Sequence, residues 1–160
     1  MESELIKIDV ARLAVNGENF AGKVDGTHLD LELPMLESAG VVTYQLHAIK
    51  VGLRLLVRGK VNANVSAVCA RCGVLFPLVV EDKEFEREYE TLEDQIFVDL
   101  TPDVRETILL AFPAFPLCGE ECKGVCPSCG RNLNKQECIC RGPAPDVRWG
   151  PLDDLRIKEE

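Results

Sequence analysis

The sequence predicts an α+β protein, in which a mostly antiparallel β domain with one main helix precedes a small C-terminal cysteine-rich module. Three observations carry this expectation. Apolar residues occupy odd positions from Leu53 to Cys69, with polar ones at most even positions, which is the period of a half-buried strand. Thr101-Pro102-Asp103 opens a segment whose apolar residues recur at helical spacing. Six of the eight cysteines fall within residues 118–140.

Along the chain, residues 5–10 and 29–33 alternate as short strands, the second ending at Pro34, with turn residues between them. Residues 42–51 pair with the long strand that follows. That strand is long enough to require a bend or bulge, and Gly59 is the place for it. Residues 74–90 return as an antiparallel strand, apolar at first and acidic later, so Cys69-Ala-Arg-Cys72 lies at a hairpin turn. Residues 96–100 form one more strand. The helix spans 101–112, with Thr101 as N-cap, Pro102 at its first position and Val104, Ile108, Ala111 and Phe112 as its apolar stripe. Pro113 stops it. These elements divide the chain into a β-rich domain (1–113), a cysteine-rich module (114–142) and a tail (143–160). In the tail, Trp149, Leu152 and Leu155 mark a short docking helix.

Composition narrows the function. At 160 residues and 46% hydrophobic content the chain supports a real core. It shows no membrane-spanning run and no secretory signal, so the expectation is a cytoplasmic protein with reduced thiols. The net charge of −9 is concentrated in residues 81–106, which hold eleven acids against three bases. Such a chain is a poor nucleic-acid binder overall. Only the cysteine-rich module is mildly basic, and Lys123, Arg131, Lys135 and Arg141 are its candidate RNA contacts.

The cysteines carry the chemistry. Cys126-Pro-Ser-Cys129-Gly130 has the form of a zinc-ribbon knuckle, where a tight turn aims two sulfurs at one point. Cys138 and Cys140, on an extended segment, supply the second pair of a four-thiolate zinc site. Cys122 is a substitute ligand for one of the four, and Cys118 is a spare thiol or half of another site. Cys69 and Cys72 are a half zinc site, a redox pair or a coincidence; with Cys118 and Cys122 they would make a second centre. On this reading Cys126→Ser loses one metal equivalent and Cys69→Ser none. Four thiolates leave no open coordination position, so the zinc is structural. His28 and His47 read as surface or satisfied histidines, and the acids of 81–94 as a solvated strand face. No catalytic triad and no phosphate-binding loop is visible, which points away from an enzyme and from a small-molecule substrate.

Val68-Cys-Ala-Arg-Cys72, Val98-Asp-Leu-Thr-Pro102, and Leu117 through Asn134 followed by Cys138-x-Cys140 resemble the YceD family of bacteria and plastids. The resemblance covers about residues 45–157. It implies a role in the accumulation of large-subunit ribosomal RNA, and so in ribosome biogenesis. The leading expectation is a non-enzymatic factor that meets a ribosomal protein or a large-subunit ribosomal RNA precursor. Its acidic strand face would engage a basic ribosomal protein. A direct RNA-binding zinc module is the alternative, and a thiol redox or metal-handling protein at Cys69 and Cys72 is a third reading.

Overall fold

The computed structural model describes residues 6–92, 96–140 and 148. Its elements are β1 (Lys7–Asp9), β2 (Glu18–Asp25), a 3-10 turn (Gly26–Leu29), β3 (Leu36–Val51), β4 (Arg54–Val68), β5 (Leu75–Glu90), β6 (Phe97–Asp99) and α1 (Thr101–Ala111). Strands β2-β3-β4-β5 form an antiparallel meander in sequence order, and β1 pairs with β6 in a separate two-stranded ribbon. The described residues are therefore mostly antiparallel sheet with one helix, followed by a cysteine cluster.

The alternation along β4 decides which face is buried. Leu55, Val57, Val61, Ala63, Val65 and Ala67 all lie in the core, joined by Val42, Leu46 and Ala48 of β3 and by Val80 and Phe85 of β5. The helix covers this face with Val104, Thr107 and Ile108, and the β1–β6 ribbon adds Ile8 and Val98. The expected irregularity falls at Gly59, where the β4–β5 register shifts before Val61. A Cβ at Gly59 would lie 2.1 Å from the Gln45 carbonyl oxygen, so β3 and β4 approach here more closely than any side chain permits.

A second set of contacts fixes the helix to β5. Tyr89 donates its hydroxyl hydrogen to Asp103 Oδ2 at 2.6 Å, and Arg87 Nε donates to Asp103 Oδ1 at 3.2 Å. The Arg87 guanidinium also lies over the Phe85 ring, 5.3 Å from its centroid.

Four sequence expectations change. Residues 29–33 form no strand: Leu29 ends the 3-10 turn, which Asp25 caps by accepting from the Thr27 N–H, and Asp30 takes a left-handed conformation at φ 49°. Leu29 and Leu31 are buried all the same. Their alternation reflects burial without a neighbouring strand. Strand β2 was not legible in its sequence. Thr101 is the first helical residue rather than the N-cap, which is Leu100. Its Oγ1 instead accepts from the Ile6 N–H at 2.9 Å, and Asp99 Oδ1 takes the Thr101 N–H at 2.9 Å. Ala111 faces solvent, and Thr107 takes its place on the buried stripe. The tail helix around Trp149, Leu152 and Leu155 lies outside the described residues, as does Arg141.

Candidate metal centres

The β4–β5 turn is built to present sulfur. Cys69 N–H donates to the Val74 carbonyl at 2.9 Å and Gly73 N–H to the Cys69 carbonyl at 2.9 Å, folding the turn back on itself. Ala70 N–H donates to the Pro116 carbonyl at 2.8 Å, which draws the segment after the helix alongside. Cys118 and Cys122 on that segment complete a tetrad with Cys69 and Cys72, here called the inner one. Cys69 Sγ lies 3.8 Å from Cys122 Sγ, and Cys72 Sγ lies 3.7 Å from Cys118 Sγ. Cys69, Cys72 and Cys122 are buried against Val74, Phe76 and Leu117. Arg71, inside the motif, donates from Nη1 to the carbonyls of Glu120 and Cys122, each at 3.3 Å.

The outer tetrad is local in sequence. Gly130 at φ 71° donates its N–H to the Cys126 carbonyl at 2.8 Å, and Cys126 N–H donates to the Arg131 carbonyl at 2.8 Å. This knuckle sets Cys126 and Cys129 against Cys138 and Cys140. Cys126 and Cys138 bring their sulfurs to 3.4 Å, and Cys129 and Cys138 theirs to 3.6 Å. Cys126 is buried, whereas Cys129 and Cys140 are exposed.

Both sets fit a tetrahedral thiolate-bound metal ion. With metal–sulfur bonds of about 2.3 Å, the edge of such a tetrahedron is about 3.8 Å. Within each tetrad all four sulfurs lie within 4.8 Å of one another, and the closest pairs approach that edge. All eight thiols are free rather than disulfide-bonded.

The electrostatics of each set are split. Burial opposes ionisation of Cys69, but the N–H groups of Cys118, Cys72 and Arg71 outweigh it and hold its thiol down at about 6. The N–H groups of Cys129 and Ser128 likewise bring Cys126 to about 6, and the Gly124 N–H lowers Cys122. Thiols that donate to their neighbours go the other way. Cys118 is pushed up to about 12 by Cys122, Cys72 and Cys69, and Cys140 to about 12 by Cys138 and Cys129. Without a cation each tetrad therefore ionises only in part, and a divalent ion would favour the thiolate form of all four sulfurs.

The structure separates the sequence candidates clearly. Cys126, Cys129, Cys138 and Cys140 come together, while Cys118 and Cys122 sit with Cys69 and Cys72 rather than beside the knuckle. His28 is exposed, and His47 Nδ1 contacts Asn19 Oδ1 at 3.0 Å, far in role from either tetrad. Lys123, Arg131 and Lys135 are exposed on the outer module. The acids of β5 are partly compensated: Glu88 pairs with Arg54 at 2.7 Å, Glu86 with Arg58 at 2.8 Å and Glu81 with Lys83 at 3.2 Å.

Asn134 is not among the candidate site residues of the sequence. Its Nδ2 donates to Cys122 Sγ at 3.3 Å, and its Oδ1 accepts from the Lys123 N–H at 2.8 Å. It thereby joins the loop of the outer knuckle to a sulfur of the inner tetrad. Nothing in local spacing signals this.

Residues 76–156, just over half of the chain, match the family described as large ribosomal RNA subunit accumulation protein YceD. The chain belongs to the YceD family. It is 37% identical over 59 residues to the chloroplastic YCED homolog 1 of Arabidopsis thaliana, a match covering 37% of this chain and 18% of that one. It is 28% identical over 166 residues to an uncharacterized protein of Mycobacterium tuberculosis strain H37Rv, covering 92% of this chain and 80% of the other. An uncharacterized protein of Mycobacterium leprae is 29% identical over 119 residues, covering 66% of this chain and 55% of its own length. No solved structure matches. Among the described residues, no helix is long and apolar enough to cross a membrane.

Proposed function

We propose that this protein is a non-enzymatic factor supporting the accumulation of large-subunit ribosomal RNA, with structural zinc in both cysteine tetrads. The observation that carries the ribosomal reading is the family match over residues 76–156. Zinc follows from the donor sets: two groups of four thiolates with tetrahedral separations suit a soft-liganded d¹⁰ ion. A non-enzymatic role follows from the same sets, because four sulfurs per ion leave no position for water or substrate. The inner zinc fastens the C-terminal segment to the β4–β5 turn, and the outer one folds residues 125–140.

Its place of action is the cytoplasm, and its partner is a ribosomal protein or a large-subunit ribosomal RNA precursor. Depletion of the protein in cells is the test. Large-subunit ribosomal RNA and large subunits fall relative to small subunits if the reading is right. Unchanged RNA and subunit profiles reject it.

A second reading is direct RNA binding by the outer module. Its support is the exposure of Lys123, Arg131 and Lys135 on the cysteine-rich segment. Three phosphate contacts give a salt slope of roughly −2 to −3 in log–log form. Absence of RNA binding by the zinc-loaded protein at low salt ends this reading.

A further inference from the structure

The β domain carries an incomplete strand edge beside a groove, and the two suit one kind of ligand. Strand β2 ends at Asp25, opposite Val41, whereas β3 begins five residues earlier at Leu36. The start of β3 therefore pairs with β4 alone, through Leu36–Ala67, Ser38–Ser66 and Ala39–Val65. Such an edge offers backbone N–H and C=O groups to any extended chain laid along it. Its far end is closed, because Gly26 lies against Ala39 and Gly40, where an added Cβ would meet the Gly40 carbonyl oxygen at 2.5 Å and the Ala39 Cβ at 2.7 Å. The open stretch is Leu36–Ser38, within which the Leu36 N–H is already donated to the Leu33 carbonyl at 3.2 Å, leaving the remaining outward main-chain groups to a short peptide contact.

Between this edge and the loop 30–35 runs a groove of about 700 Å³. Leu31, Leu33 and Leu36 supply its apolar lining, and Asp30, Glu32 and Glu37 its charge, with no basic side chain among the lining residues. None of these three carboxylates forms an ion pair among the described residues, in contrast to the compensated acids of β5. The loop is held in place: Arg105 donates to the carbonyls of Leu29 at 2.8 Å and Asp30 at 3.0 Å, and Val68 N–H donates to the Met35 carbonyl at 2.7 Å. Asp30 and Met35 both keep positive φ there, at 49° and 67°.

We propose that this groove binds a short, extended, lysine- or arginine-bearing segment of a partner protein, which pairs with the edge at Leu36–Ser38. In an extended peptide successive side chains point to opposite sides. An alternating segment places apolar residues on the leucines and cations beside Asp30, Glu32 and Glu37, while main-chain hydrogen bonds to the edge supply register. Unpaired carboxylates repel phosphate, so the ligand is protein rather than nucleic acid. This inference goes beyond the ribosomal RNA reading and does not rest on it.

The test uses the full-length, zinc-loaded, ¹⁵N-labelled protein and the synthetic peptide acetyl-(Val-Lys)₄-amide at low salt, with acetyl-(Val-Glu)₄-amide as control. The lysine peptide shifts the amide resonances of Asp30–Leu33 and Leu36–Gly40, and the glutamate peptide does not. The double variant Glu32→Lys/Glu37→Lys weakens binding about tenfold or more. The double variant Glu81→Lys/Glu84→Lys on β5 binds as the parent does. Shifts centred on β5, unchanged affinity in the groove variant, or no shift at millimolar peptide each overturn the proposal.

Discussion

Cys69 and Cys122 are 53 positions apart in the chain, and their sulfurs lie 3.8 Å apart in the fold. That contact makes the β4–β5 turn and the C-terminal segment parts of one centre. It also changes what the first Cys-x-x-Cys means. Redox chemistry at such a motif uses a helix N-terminus to acidify the attacking thiol. Here the turn joins two strands, and the acidity of Cys69 arises from N–H donors of a closed tetrad, one of them from Cys118.

Metal content follows directly. The protein as purified carries two zinc ions per chain, and Cys126→Ser and Cys69→Ser each lose one. The geometry thus replaces the expectation from spacing alone, under which the second substitution costs nothing. Elemental analysis against protein concentration decides it. Chelation leaves the four-stranded sheet intact, since its core is independent of either centre, but residues 117–140 have too few buried apolar groups to hold without metal. Hydrogen exchange shows loss of protection confined to the β4–β5 turn and the C-terminal segment. Global unfolding on chelation contradicts this division.

Asn134 tests whether the two centres communicate. Its amide donates to Cys122 Sγ while its carbonyl oxygen receives the Lys123 N–H. Partners that orient a metal ligand contribute about 10–100-fold to affinity. Asn134→Ala therefore weakens zinc at the inner tetrad by a factor of that order and leaves the outer ligands in place. Competition with a chromophoric chelator, run also on the Cys126→Ser background to isolate the inner ion, reads the change. Equal weakening of both ions, or of neither, rules the role out.

The legible parts of this protein were those whose signal is local. The alternation of Leu55, Val57, Val61, Ala63 and Val65 located β4 and its buried face because one side of a strand must be apolar when it packs. The outer tetrad was legible because Cys126, Cys129, Cys138 and Cys140 lie within one short loop. The inner tetrad is not decided by spacing because its halves are 46 or more residues apart, and they meet only in the fold, where residue 116 docks on the turn and Arg71 reaches the Glu120 and Cys122 carbonyls. Strand β2 contains Ala21 and Gly22, weak strand formers, and its conformation comes from pairing along β3 from Asp25–Val41 to Glu18–Ala48. Residues 29–33 erred in the other direction, alternating without a partner strand.

Gly59 supplies a stability prediction from backbone approach. The Gln45 carbonyl oxygen and Leu46 Cα occupy the space a side chain needs, at 2.1 Å and 2.8 Å from a built Cβ, and neither is the movable end of a side chain. Gly59→Ala separates β3 from β4 at the bulge and destabilises by about 1–3 kcal/mol, whereas the same change at Gly52, a hairpin position with open space, acts only through its positive φ. Urea unfolding midpoints at constant slope check it. A neutral or stabilising Gly59→Ala shows that the strands yield more readily than their packing implies.

Tyr89 gives a prediction with a pH signature. Burial, then the hydrogen bond and charge of Asp103, push its hydroxyl above the ordinary tyrosine value of 10.0. The folded state therefore keeps the proton where the unfolded chain begins to release it. The stabilisation is complete below about pH 10 and is lost as pH rises above it toward the higher folded value. At neutral pH, Tyr89→Phe removes the donor to Asp103 and destabilises by about 1 kcal/mol, since Arg87 still compensates the carboxylate. The difference between parent and variant shrinks as pH climbs from 9 to 11. Paired denaturation curves across that range measure it, and a difference that stays constant or widens means the Tyr89–Asp103 hydrogen bond does not form in solution.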